Sequence, residues 1–136
     1  MANNTSIRPL ALLGTVLICF PALAATHWTP LSEAADVASR TFINLDHVKR
    51  DGSKRRFWDL LTMQNPMSFK GKSYLSLSTF QEIDCAKDES STLKVLGYSE
   101  PDGRGTIVYD NTTAIPQIEP IVPDSVAAKE ERIVCK

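Results

Sequence analysis

The side chains best suited to chemistry in this chain crowd into KRDGSKRRFW, Lys49 to Trp58, where Lys49, Arg50, Lys54, Arg55 and Arg56 put five cations into eight positions. The whole chain has a formal net charge of -1, so this is a local concentration of positive charge and not part of a global field. Ammonium and guanidinium groups at that density can grip a polyanion through charge-assisted hydrogen bonds. In an extended segment Trp58 falls two residues beyond Arg56 on the same strand face, near enough for a cation–aromatic contact. The same residues suit a bare hairpin tip, because Lys and Arg keep a sheet edge soluble and discourage strand pairing between molecules.

Other combinations are poor material for an active site. His27 and His47 belong to no Ser or Cys nucleophile signature, and His47 reads as a strand surface residue. Glu82 and Asp84 alternate away from the apolar residues around them, which makes them a solvated stripe and not an acid–base couple. Gly97, Gly103 and Gly105 lack phosphate-loop spacing and the Lys-Ser or Lys-Thr pair that closes such a loop. Asn111-Thr112-Thr113 matches a glycosylation acceptor only at the level expected by chance. Neither an enzyme nor a cofactor is expected, and the Cys and His spacings match no metal site.

The compartment decides which partners remain. Arg8 precedes an uncharged run from Leu10 to Phe20, and Ala22-Leu23-Ala24 supplies small residues at the cleavage positions, so residues 1–24 read as a signal peptide and residues 25–136 as one exported domain. Val16-Leu17-Ile18-Cys19 falls short of a lipoprotein box, which requires a small residue where Ile18 stands. No later stretch is long and apolar enough for a transmembrane helix. Removing Arg8 from the 15 Lys and Arg, against 16 Asp and Glu, brings the net charge near -2. Nucleic acid is thereby excluded as a partner. A sulfated glycan, an acidic matrix protein or lipopolysaccharide phosphates are compatible with the basic stretch, and self-association stays open.

Cleavage also removes Cys19, leaving Cys85 and Cys135 as the two thiols of a chain bound for an oxidising compartment. One disulfide follows. Closing a loop of about fifty residues stabilises a fold by roughly 4 kcal/mol in the chain-entropy picture.

The elements that must position these residues can be read from periodicity. Residues 26–40 read as an irregular lead-in. Thr41–Val48 and Lys54–Met63 have strand composition around Asp51-Gly52, a hairpin signal that makes the basic stretch its tip. Asn65-Pro66 to Gly71 should form a linker. Tyr74–Cys85 then alternates with period two, placing Leu75, Leu77, Ile83 and Cys85 on one face. Leu93–Ser99 and Gly105–Asp110 make a second hairpin around Glu100–Arg104. Pro116, Pro120 and Pro123 argue against a central strand, and Asp124-Ser125 can cap a helix over Val126–Val134 with an apolar stripe of Val126, Ala127, Ile133 and Val134, opposite Lys129, Glu131 and Arg132. The expected fold is α+β: an antiparallel sheet of about five strands, with the C-terminal helix packed on one face and tied to it by the disulfide.

Trp28, Phe42-Ile43-Asn44, Val48-Lys-Arg-Asp-Gly52 with Phe57-Trp58, Tyr74, Ser76, Glu82-Ile-Asp-Cys85, Tyr98, Gly103-Arg-Gly105, Pro123-Asp-Ser125 and Cys135 follow one pattern across the chain. In these landmarks it resembles the surface-adhesin protein E family of Gram-negative bacteria. The resemblance implies six antiparallel strands with the helix disulfide-tied to the concave side. It also implies an exported or surface protein, some relatives of which bind host matrix proteins such as vitronectin and laminin, others being linked to lysozyme inhibition. The chain departs from the family pattern at Asn44, where an acidic residue is usual, and at Ile115–Ile121, where an aromatic residue is usual. The expected function is that of a non-enzymatic adhesin-like binding domain of the periplasm or cell surface. A hydrolase inhibitor and a periplasmic assembly module are the alternatives.

Overall fold

The computed structural model describes residues 27–31, 38–112 and 115–136. The expected signal peptide, residues 1–24, and most of the lead-in before Ala38 lie outside the described residues. Among the described residues eight strands and one helix follow in order: β1 Trp28–Pro30, β2 Ser39–Asn44, β3 Lys49–Asp51, β4 Lys54–Phe69, β5 Lys72–Asp84, β6 Glu89–Tyr98, β7 Ile107–Thr112, β8 Ile118–Pro120 and α1 Val126–Val134. They form one antiparallel sheet in the order β1-β2-β4-β5-β6-β7, with β3 on β4 and β8 on β6.

The α+β class and the tied C-terminal helix are as expected, but the strand count is higher than five to six. One reason is that Thr41–Val48 is interrupted. β2 pairs with the middle of β4 (Phe42 opposite Leu60) and ends at Asn44, a short turn follows, and Lys49–Asp51, read from sequence as part of the tip, pairs with the start of β4 (Lys49 opposite Arg56) as a strand of its own. Another is that the lead-in and the proline segment both pair at sheet margins. Trp28–Pro30 lies along β2, and Ile118–Pro120 lies along β6, an edge position where a proline interrupts no further ladder.

The expected linker at Asn65–Gly71 is instead the end of β4. Between Thr62 and Met67 the register against β5 shifts, which absorbs Pro66 in an irregularity, and pairing resumes to Phe69 opposite Lys72. Lys70 and Gly71, both at positive φ, make the two-residue turn there. At the basic hairpin Asp51 pairs with Lys54, so the turn residues are Gly52 and Ser53, with positive φ at Gly52 alone. The Asp-Gly signal located the hairpin and misplaced its turn by one residue.

Ile43, Phe57 and Ile83 are fully buried under Val134 of α1, with Leu31, Val48 and Ile121 packed around them. Burying each such side chain contributes about 1.5–3 kcal/mol. Ser125 caps the helix, its Oγ accepting from the Ala128 amide at 3.1 Å. The disulfide joins Cys85, just after β5, to Cys135 at the helix end, with Cα atoms 5.7 Å apart. The buried helix positions are Ala128, Glu130 and Val134, whereas Val126 is exposed. The apolar stripe expected from spacing is therefore rotated, and Glu130, which lay outside it, faces the sheet beside Ala128 and Val134.

Candidate functional site

The period-two geometry of β3 and β4 divides the basic stretch between the two faces of the sheet. Lys49 stands opposite Arg56 and Arg50 opposite Arg55. Side chains on one strand alternate, so Lys49, Lys54, Arg56 and Trp58 share the face away from α1, while Arg50 and Arg55 share the face that carries the helix.

On the helix side the two arginines are structural. Arg50 donates to the carbonyl oxygens of Val134 and Lys136, at 3.5 and 3.3 Å, where the last turn of α1 leaves acceptors unsatisfied. Arg55 folds back on its own hairpin, donating to the carbonyls of Gly52 and Lys54 at 2.8 and 2.9 Å.

On the open side Glu82 of β5 receives both neighbouring cations. Lys54 Nζ lies 2.7 Å from Oε1, and Arg56 Nε donates to Oε2. Burial by itself would raise the Glu82 carboxyl, but the two hydrogen bonds and charges hold it below its ordinary value. The same contacts raise Lys54 and Arg56. Asp84 is lowered by the Ser53 hydroxyl and the Ala86 amide, and Lys87 lies 4.0 Å away. Glu82 and Asp84 do face away from the helix, as alternation requires. They are not a solvated stripe, however: Asp84 is buried and the Glu82 side chain is only 13% exposed, because basic partners and the hairpin cover them.

Trp58 stacks on Phe80 across the β4–β5 pair, centroids 5.1 Å apart. The anticipated Arg56–Trp58 contact is not made, since Glu82 holds the guanidinium. Among the described residues the cation–ring contacts are Arg40 with Phe42 and Lys70 with Phe69. Farther along the same face the Glu100–Arg104 turn folds over the sheet. Gly103 N donates to Ser76 Oγ (2.9 Å), Ser76 Oγ to the Glu100 carbonyl (2.6 Å), and Asp102 N to Thr62 Oγ1 (3.2 Å). That turn covers Leu60 and leaves the Trp58–Phe80 end open.

The open face therefore presents a half-buried aromatic pair bordered by Lys49, Lys54 and Arg56, and beyond Phe80 by Lys94, which pairs with Asp110 at 3.2 Å. Lys49 has no ion-pair partner among the described residues. Phe80 and Lys94 were not singled out from sequence. The alternation of Tyr74–Cys85 was the signal that could have placed Phe80 opposite the core. His47 is exposed in the turn between β2 and β3, and His27 is exposed beside Asp46. Among the described residues no group of three or more His, Cys, Asp or Glu is placed to hold a metal.

The comparisons with known proteins agree with this architecture. The family profile described as surface-adhesin protein E matches residues 28–136. A crystal form of Haemophilus influenzae protein E superposes with a TM-score of 0.63 at 13% identity, covering 89% of this chain and 96% of that one. Protein E from non-typeable Haemophilus influenzae gives 0.59 at 15% identity, covering 88% and 82%. At these identities the likeness to the solved structures is one of fold. No curated protein matches the chain significantly.

Proposed function

From the premise that the chain belongs to the surface-adhesin protein E family, we propose that it is a non-enzymatic, exported binding domain acting at the cell surface. Residues 1–24 serve as its signal peptide and residues 25–136 as the binding domain. Its ligand is a host matrix protein or an anionic glycan, engaged through the open sheet face around Lys49, Lys54, Arg56 and Trp58. The observation that carries this reading is their convergence beside the Trp58–Phe80 pair. An aromatic surface ringed by cations takes both the apolar and the anionic portions of a glycan or an acidic peptide. Arg50 and Arg55 contribute to this surface only indirectly, by holding the hairpin and the helix in place.

Glu82 neutralises part of the positive charge, so affinity rests on the combination of stacking and charge. Changing Lys49, Lys54 and Arg56 together to Ser should reduce retention on heparin and on immobilised matrix protein, most at low salt, with melting used to confirm the fold. Retention equal to wild type at low and moderate salt removes this face as the binding site. Protease or antibody access on intact cells tests the surface location.

A second reading, a periplasmic assembly module, draws on the exposed aliphatics Ile115, Ile118, Val122 and Val126 near the end of the chain. A domain hidden from antibody on intact cells but captured with other envelope proteins would favour it. Purified domain tested against lysozyme activity addresses the inhibitor alternative.

A further inference from the structure

Glu130 projects from α1 into the sheet at 2% exposure, and Asp59, on the helix-facing side of β4, is 7% exposed. The two buried carboxyl groups lie close enough that each alters the other's protonation. Two carboxyl groups packed together out of water are held there only with a proton between them. We propose that α1 is docked on the sheet through one proton shared by Glu130 and Asp59, so that loss of this proton loosens a helix which the Cys85–Cys135 bond still tethers.

The surroundings assign the proton. Gln81 Nε2 donates to Asp59 Oδ2 at 3.1 Å, and its orientation is set by Thr92, whose hydroxyl donates to Gln81 Oε1 at 3.1 Å. Thr79, opposite Asp59 on β5, also favours the ionised form of its carboxyl. Asp59 is thus surrounded by donors and suited to stay ionised, which leaves Glu130 as the acid that donates to it. Glu130 Oε1 is buried and has no partner, as suits a carboxyl group whose other oxygen carries the proton.

Among the described residues no neighbouring element supplies a cation. From β2 the residue beside Asp59 is Ile43. Along β4, Phe57 is apolar, and Arg55 hydrogen-bonds within its hairpin. On the helix, Glu131 is raised by burial and by Asp88, whereas Lys129 and Arg132 line the outer hollow with Leu31 and Lys136. Burial, then the Asp59 charge, pushes Glu130 up to about 8. Burial raises Asp59 to about 6 despite its hydrogen bonds. Near neutral pH the pair therefore holds one proton.

The sign follows from linkage. A carboxyl group raised in the folded state binds its proton more tightly there than in the unfolded chain. The native state then holds more protons over the interval from the ordinary carboxyl value to the raised one, and stability falls as pH rises through it. Above that interval two negative charges face each other with no cation between them. Docking is weakened there while the covalent tether remains.

The test is thermal unfolding of the disulfide-intact domain from about pH 5 to about pH 9, with amide exchange of α1 read against amides of β4 and β5 in the same sample. The expected wild-type melting temperature falls by several degrees as pH rises from the ordinary carboxyl range to the raised Glu130 value of about 8, and α1 amides lose protection ahead of the sheet. Glu130→Gln, whose carboxamide donates to Asp59 at every pH, should flatten that fall and melt above wild type at the highest pH. Asp59→Asn should also flatten it by removing the facing charge. A flat wild-type profile overturns the proposal, as does a parallel decline in both variants or loss of protection in helix and sheet together. The inference is independent of the ligand assigned to the opposite face.

Discussion

Phe57 and Trp58 are neighbours in the chain and similar in bulk, yet Phe57 is fully buried beneath α1, while Trp58 lies half-buried on the far side of the sheet against Phe80. The same division runs through the whole sheet. The helix side has a dry aliphatic centre, a disulfide and a carboxyl pair that is held together by a proton. The open side has stacked rings and a carboxylate held between two cations. One face is stabilised by an apolar centre under the helix, the other by stacked rings, ion pairs and a turn that folds over Leu60 and Ser76.

The largest expected effect that sharpens this contrast is the loss of Phe57. Phe57→Ala should cost up to about 5 kcal/mol, because truncation under a tied helix leaves a cavity that cannot collapse. Denaturant unfolding checks it. Reducing the disulfide, or Cys85→Ser with Cys135→Ser, should cost about 4 kcal/mol by releasing the loop it closes, read from the shift in the denaturant midpoint. Trp58→Ala should cost only about 2 kcal/mol, since a half-buried ring forfeits less apolar contact and one stacking partner. A loss equal to that of Phe57→Ala would contradict the division into faces.

Glu82→Gln should have the smallest effect, and its signature is dependence on salt and pH. The Lys54 and Arg56 side chains are 45% and 39% exposed, so solvent screens most of their attraction to Glu82. Because Glu82 and Asp84 are lowered in the fold, their stabilisation is present above the ordinary carboxylate range and is lost as pH falls through it. Glu130 acts in the opposite sense, losing stability as pH rises. The wild-type melting profile should therefore have an acid limb that weakens in Glu82→Gln and an alkaline limb that does not.

Much of this arrangement was legible before any coordinates. The alternation of Leu75, Leu77, Ile83 and Cys85 located the core face, Ser125 was recognisable as a helix cap, and Cys85 and Cys135 were left as a single pair once Cys19 was read as part of a signal peptide. The misreadings share a cause. Pro66 resembles a break because a register shift is invisible without the partner strand. Val126 was placed on the apolar stripe and is exposed, while Glu130, which the stripe left out, faces the sheet, because the rotation of the helix depends on contacts with Asp59 and its neighbours. Glu82 reads as solvated because Lys54 and Arg56 reach it across 26 or more positions of chain.

Sequence alone determined the strand alternation, the hairpin at Lys49–Trp58, the capped C-terminal helix and the covalent pairing, because each depends on neighbouring residues or on a choice with one outcome. Tertiary structure decided which half of the basic stretch faces the helix and which faces outward, which ring stacks on Trp58, and that two acidic residues share a dry interface. Those outcomes depend on register between strands and on the rotation of the helix over the sheet. Both are set by contacts between distant segments, whose energies no local pattern contains.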